Sequence, residues 1–199
     1  EKRQGVYFEA IRAALHAGGR ALFVVPEIAR VEPFVEALEA GLGEAPALVH
    51  SGLPEARRER EWRRIRDGGA RVIVGSRLAL FAPADNLRLV ICDEEQDESY
   101  FQQEGLSYDV REAARLRAAG AGAVLVSGSE TPLVESLHRA REAGTLLDLG
   151  AAAAGPAAEI IPHDPGRGLI SPGLGRALDS RLARREPAIL FFNRRGYAS

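Results

Sequence analysis

Two adjacent carboxylates, Asp93 and Glu94, follow an apolar run at residues 87–92 (LRLVIC). An acidic pair directly after a buried strand is the geometry of a Walker B element. The first carboxylate holds Mg²⁺ through its water shell and the second polarises the attacking water. The same pair also suits an acidic first turn that favours the dipole of a following helix. Ser129, Glu130 and Thr131 follow a second run, at 123–127 (AVLVS), where Thr131 is placed to cap a helix opening at Pro132. Ser76 and Arg77 follow a third, at 71–74 (RVIV). They read either as a hydroxyl and a guanidinium for a nucleic-acid phosphate or as a simple cap with an exposed arginine. The aperiodic stretch 99–108 is rich in aromatics and amides. Tyr100 and Phe101 there read as bases' stacking partners or as pins of an ordered surface loop.

These groups need a scaffold that brings them to one edge. The runs at 21–25, 71–74, 87–92, 123–127 and 188–192 are short and apolar, as parallel strands buried on both faces are. Helical patterns lie between them at 6–17, 31–42, 54–67, 109–119 and 132–143, with glycines after several of them. Strands alternating with helices predict βαβ units in an α/β, doubly wound parallel sheet. Ligands of such sheets sit beyond the strands' carboxyl ends, which is where Pro26-Glu27, Ser76-Arg77, Asp93-Glu94 and Ser129–Thr131 all fall. Residues 150–156 (GAAAAGP) read as a linker. One α/β lobe is therefore expected at 1–150 and the opening of a second at 151–199, with a short strand at 159–162, a helix at about 172–184 and a strand ending at Phe192.

The chain has 199 residues, a net charge of −2, 46% hydrophobic and 27% charged residues, an ordinary globular composition. No apolar run approaches the roughly 18 residues of a membrane span, so no membrane partner is expected and a cytoplasmic setting is. The single cysteine, Cys92, excludes an internal disulfide framework and a cysteine-rich zinc site within these residues. His16, His50, His138 and His163 are scattered without metal-ligand spacing, so no metal site is expected here. The charge balance gives no global attraction to nucleic acid, leaving local patches to supply it. One such stretch, 57–66, interleaves arginines with glutamates and reads as a solvated helix face, with Trp62 as a packing anchor. The absence of Met and the apolar run at the end read as signs of a piece of a larger protein.

Taken in order, the strings resemble one family, the primosomal replication-restart protein PriA, within the superfamily 2 DNA helicases. The residues that carry the resemblance are Val24-Val25-Pro26-Glu27-Ile28, His50-Ser51-Gly52-Leu53 with Glu61-Trp62-Arg63-Arg64, Gly75-Ser76-Arg77 running to Pro83, Asp93-Glu94-Glu95-Gln96, Ser99-Tyr100 with Gln102-Gln103-Glu104-Gly105, and 190–198. The resemblance implies a RecA-like lobe 1 and the start of lobe 2. It implies DNA contacts at Ser76, Arg77, Tyr100, Phe101, Asn193 and Arg194. It makes Asp93 and Glu94 the Walker B pair, and Ser129, Glu130 and Thr131 the coupling motif III. ATP and Mg²⁺ are the ligands it implies, forked or single-stranded DNA and primosome proteins the partners, and the nucleoid the place of action. It puts the family's zinc-binding cysteines beyond Ser199.

The departures from that pattern matter as much. Aligning Val6-Tyr7-Phe8-Glu9 with the family's helix sets Lys2, Arg3, Gln4 and Gly5 where the last P-loop glycine, the Lys, the Thr and the Glu belong. Arg3 and Gln4 are then degenerate nucleotide-binding positions: Gln4 lacks the hydroxyl that reaches Mg²⁺, and Arg3 is bulkier than the lysine point charge. Gln96 stands where the family has His, and Glu130 where it has Ala. The expectation is a DNA-binding restart protein with lost ATPase and helicase activity, in which Asp93 and Glu94 are relics. The alternatives are an active ATP-dependent 3′→5′ DNA helicase and an ATP-binding switch without turnover.

Overall fold

The computed structural model describes residues 2–27, 31–103, 105, 107–150 and 170–190, of which 31–34 are described in their backbone alone. The chain divides into two compact units, Glu1–Leu149 and Gly150–Ser199. In chain order the first unit runs α1 (Lys2–His16), β1 (Arg20–Val24), α2 (Val31–Leu42), β2 (Ala47–Val49), α3 (Glu55–Arg66), β3 (Val72–Gly75) and a 3₁₀ turn (Arg77–Phe81). It continues with β4 (Leu87–Asp93), a 3₁₀ turn (Glu98–Tyr100), a two-residue hairpin of β5 (Phe101–Gln102) and β6 (Tyr108–Asp109), α4 (Val110–Ala121), β7 (Val124–Gly128) and α5 (Val134–Glu142).

Five strands form one parallel sheet in the order β2-β3-β1-β4-β7. Strand alternation puts Ala21, Phe23 and Val25 on one face and Leu22 and Val24 on the other. Tyr7, Ile11, Ala14 and Leu15 of α1, spaced three and four residues apart, close the first face. Ile65 of α3 and the stripe Val110, Ala114, Ala118 of α4 close the second. Helices on both faces of a parallel sheet give the expected doubly wound α/β fold, and the strand arrangement fits a RecA-like lobe. From β1 the chain turns toward β2 and β3; from β4 it turns the other way, toward β7. The crevice beyond the carboxyl ends of β1 and β4 is thus the topological switch point, the place such sheets bind ligands.

Several expectations needed correction. β2 was not anticipated: three residues after Pro46 offer too little pattern to read. α1 begins at Lys2, so Lys2, Arg3 and Gln4 are helical and form no loop. α5 begins at Val134 rather than Pro132, for a reason given below. β7 is half-exposed along its length, unlike the buried β1 and β3. In the second unit α6 (Pro172–Ala183) forms as expected, its start capped by Ser171 Oγ, which accepts from the Leu174 N–H at 3.2 Å. Residues 188–190 are irregular rather than extended strand. The expected linker after Gly150, the strand at 159–162 and residues 191–199 with Asn193 and Arg194 lie outside the described residues.

Candidate functional site

Asp93 is the last residue of β4 and Glu94 follows in the left-handed region, with φ +50°. A glutamate rarely takes that conformation, and backbone strain of this kind collects at functional turns. Two side chains from α1 reach down to the pair. Tyr7 donates its hydroxyl to Asp93 Oδ1 at 2.8 Å. Arg3 lies across both carboxylates, with Nε 3.1 Å from Asp93 Oδ1 and Nη2 on Glu94 Oε1. Tyr7 can come this close because Gly128 ends β7 beside it: a Cβ there would lie 1.6 Å from the Tyr7 oxygen.

The cluster is mostly shielded, with side-chain exposures of 22% for Arg3, 18% for Asp93 and 16% for Glu94. Burial pushes the Asp93 carboxyl above its ordinary value, although Tyr7 and Arg3 pull the other way. Burial, reinforced by the charge of Asp93, pushes the Tyr7 hydroxyl up as well, so it stays a donor. Burial disfavours the Arg3 cation, but Asp93 and Glu94 outweigh it and hold the guanidinium charged. Arg3 Nη1 is buried without a hydrogen-bond partner.

A chain of hydrogen bonds runs on from Glu94. Gln96 Nε2 donates to Glu94 Oε2 at 2.7 Å, Ser129 Oγ donates to Gln96 Oε1, and the Thr131 N–H donates to Ser129 Oγ at 2.9 Å. Asp93, Glu94, Ser129 and Thr131, separated in sequence, are thereby brought together, while the Glu130 side chain is exposed. Thr131 does not cap α5. That work falls to Glu95, buried to 2% exposure, whose carboxylate accepts the Leu133 N–H at 2.8 Å and the Ser136 hydroxyl at 2.9 Å. A buried carboxylate at a helix start satisfies free N–H groups and complements the dipole. Sequence reading missed it because Glu95 stands in a row of acids with no local mark. The Glu95 carbonyl in turn accepts from Arg111 Nη1 at 3.0 Å, and Arg111 is clamped by Asp109, the N-cap of α4.

A magnesium–nucleotide complex does not fit these residues as they stand. A divalent cation on Asp93 would have to displace Arg3, which already pairs with both carboxylates. Gln4, in the first turn of α1, supplies no hydroxyl to such a cation. Among the described residues no group of three or more His, Cys, Asp or Glu side chains converges on a metal position. Cys92, buried in β4, has its thiol pushed up to about 12 by burial and is inert core.

A second feature lies along the same sheet edge. Pro26, Ser51, Ser76, Arg77, Ser99 and Tyr100 line a cavity of about 160 Å³. Three serines and an exposed guanidinium, Arg77, make it suited to a phosphate. Its floor is held from behind: Arg117 of α4 donates to the carbonyls of Leu80 and Ala82, fixing the 3₁₀ turn that begins at Arg77. Tyr100 is a correction. It is 1% exposed, and its hydroxyl donates to the Asp93 carbonyl at 2.7 Å with that of Val24 also in reach at 3.0 Å. It is a core residue that ties β1 to β4 and has no face to offer a base. Phe101 is 46% exposed and remains available.

No protein-family model matches the chain. Its relatives are consistent nonetheless. It is 34% identical over 203 residues to the replication restart protein PriA of Bacillus subtilis (strain 168), covering 98% of this chain and 25% of that protein. It is 36% identical over 203 residues to that of Chlamydia pneumoniae (96% and 27%) and 35% identical over 197 residues to that of Treponema pallidum (97% and 30%). The chain thus spans about a quarter to three-tenths of the length of these relatives. Among solved structures it overlays on the Pyrococcus furiosus Hef helicase domain with a TM-score of 0.47 at 15% identity, covering 69% of this chain and 28% of that one. The C-terminal domain of the DEAD-box protein Dbp5 gives 0.42 at 17% identity, with 65% and 72% covered.

Proposed function

We propose, on the premise that this chain is a relative of one segment of the replication restart protein PriA family, that it is a DNA-binding, motor-silent helicase lobe acting in replication restart. One observation carries the reading: the Arg3 guanidinium lies on both Asp93 and Glu94, where a nucleotide-hydrolysing site needs a divalent cation and a free base. Gln96, locked between Glu94 and Ser129, and the exposed Glu130 support it. The serine- and arginine-lined cavity at the ends of β1 and β3 supports a phosphate backbone as ligand. Forked or single-stranded DNA and primosome proteins as partners, and a cytoplasmic, nucleoid setting, belong to the same proposal, which the relatives' role in replication restart supports. Among the described residues no helix is long and apolar enough to cross a membrane.

In this account DNA binding does not depend on ATP. Forked-DNA affinity, read by fluorescence anisotropy, is expected to be unchanged by ATP with Mg²⁺ and to fall for Arg77→Ala. ATP-dependent affinity would contradict it, as would equal affinity of Arg77→Ala at low salt. A second reading has one observation in its favour: the partnerless Arg3 Nη1 is a donor fit for an anionic oxygen. On that reading the site binds a nucleotide phosphate without turnover, and ATP without Mg²⁺ would raise the melting temperature.

A further inference from the structure

The outer side of α3 carries chemistry beyond this site. Its residues 55, 58, 59, 62 and 66 fall on one stripe, three and four apart. With Leu78, they line a groove of about 460 Å³. Trp62 is partly buried against the core cluster of that sheet face and also lines the groove. Arg63 is held by Glu59 and Arg66 by Asp67. Arg58 makes no hydrogen bond or ion pair among the described residues, nor do Arg57 and Arg60 on the same helix. Arginines outnumber acids two to one along α3. Leu78 lines this groove, and the residue before it, Arg77, lines the phosphate-suited cavity.

We infer that this groove is a second nucleic-acid contact, in which an unpaired base stacks on Trp62 and its phosphate meets Arg58. An aromatic platform beside unpaired guanidinia is how single strands are held without sequence preference. With consecutive residues lining the two, one strand can run from the Arg77 cavity onto α3. The inference rests on the DNA reading above and adds to it a stacking subsite. It adds a ligand to the 57–66 face and to Trp62, which the sequence reads as a solvated face and a packing anchor and which are exposed and packed against the core respectively.

Trp62 is the only tryptophan in the chain, so its emission reports on this groove. The experiment titrates the full chain with an oligothymidylate, following both the anisotropy of the labelled strand and Trp62 emission. The expected result is saturable quenching with the midpoint seen by anisotropy. Trp62→Phe should weaken binding about fivefold or more. Arg58→Ala should lower the slope of log affinity against log salt by about one, the signature of one lost phosphate contact. Binding with unchanged Trp62 emission and wild-type affinity for both variants, but weakened by Arg77→Ala, overturns the groove and leaves the DNA reading standing. No binding at all overturns both. Quenching by an acidic peptide but not by the oligonucleotide overturns the inference and assigns the groove to a protein partner.

Discussion

Removing Arg3 is the most direct perturbation of the plugged carboxylate pair. Arg3→Ala deletes the cation that contacts both Asp93 and Glu94 and leaves two acids side by side, about four-fifths shielded, with Tyr7, Gln96 and the Glu94 backbone N–H among their remaining donors. Exposed ion pairs contribute about 0–1 kcal/mol. Truncating one partner of a fully buried pair costs about 3–5 kcal/mol. The intermediate burial here puts the loss at about 2 kcal/mol, or roughly 6 °C in melting temperature for a unit of this size. The sign with pH follows from Asp93. Its folded carboxyl titrates above its unfolded value, so its contribution is fully present below the unfolded value and is lost as pH rises through the folded one. Without Arg3 that upward shift grows. The gap between wild type and Arg3→Ala should therefore be full at neutral pH and shrink toward pH 4. Circular-dichroism melts at both pH values measure it, and a cycle with Glu94→Gln isolates the Arg3–Glu94 coupling. A variant at least as stable as wild type at pH 7.5 would refute the reasoning. It would mean that desolvation of the three charges already cancels their attraction.

Three further outcomes are expected. Gly128→Ala places a methyl where the Tyr7 hydroxyl sits, and should cost about 1–3 kcal/mol in urea unfolding. Adding Tyr7→Phe should recover part of that loss, and no recovery would sink the steric account. Glu95→Leu leaves the Leu133 N–H and Ser136 hydroxyl without their acceptor. It should lose about 2–3 kcal/mol and raise amide exchange at the start of α5; an unchanged exchange rate there would show that the cap is dispensable. Burial pushes Asp109 up, but its bonds from Arg111 outweigh that and hold it below the usual carboxylate range. Its contribution is thus present above the unfolded value and lost as pH falls through the folded one. Acid unfolding monitored below pH 4 should then be less steep in Asp109→Asn than in wild type, and an equal slope would contradict the pairing.

How far the sequence was legible depends on the range over which each residue acts. β1 and β3 announce themselves as unbroken apolar runs, and β4 as a run broken only by Arg88, because their faces are covered. β2 does not, since three residues carry no period. Asp93 and Glu94 are legible as a pair for the same local reason: a strand end is marked by the run that precedes it. What they are paired with is not legible. Tyr7 and Arg3 approach from a helix about ninety residues earlier, through a gap opened by Gly128, and no local spacing encodes that. Glu95 and Tyr100 fail in opposite directions. Glu95 looks like an exposed acid among acids and is a buried cap. Tyr100 looks like a loop aromatic ready to stack and is a core tie, because its burial is set by the sheet folding beneath it. Arg3 was legible as an altered position only through the family register, and its helical placement came from the structure.

The central claim is the silence of the Asp93–Glu94 pair as a hydrolytic site. Steady-state ATP hydrolysis by the full-length protein, with and without forked DNA, tests it, with an Asp93→Ala, Glu94→Ala double variant as background. The account predicts turnover indistinguishable from that background in both conditions, with forked DNA still bound. DNA-stimulated turnover that the double variant abolishes would contradict it, and would mean that Arg3 leaves the carboxylates when nucleotide and DNA arrive.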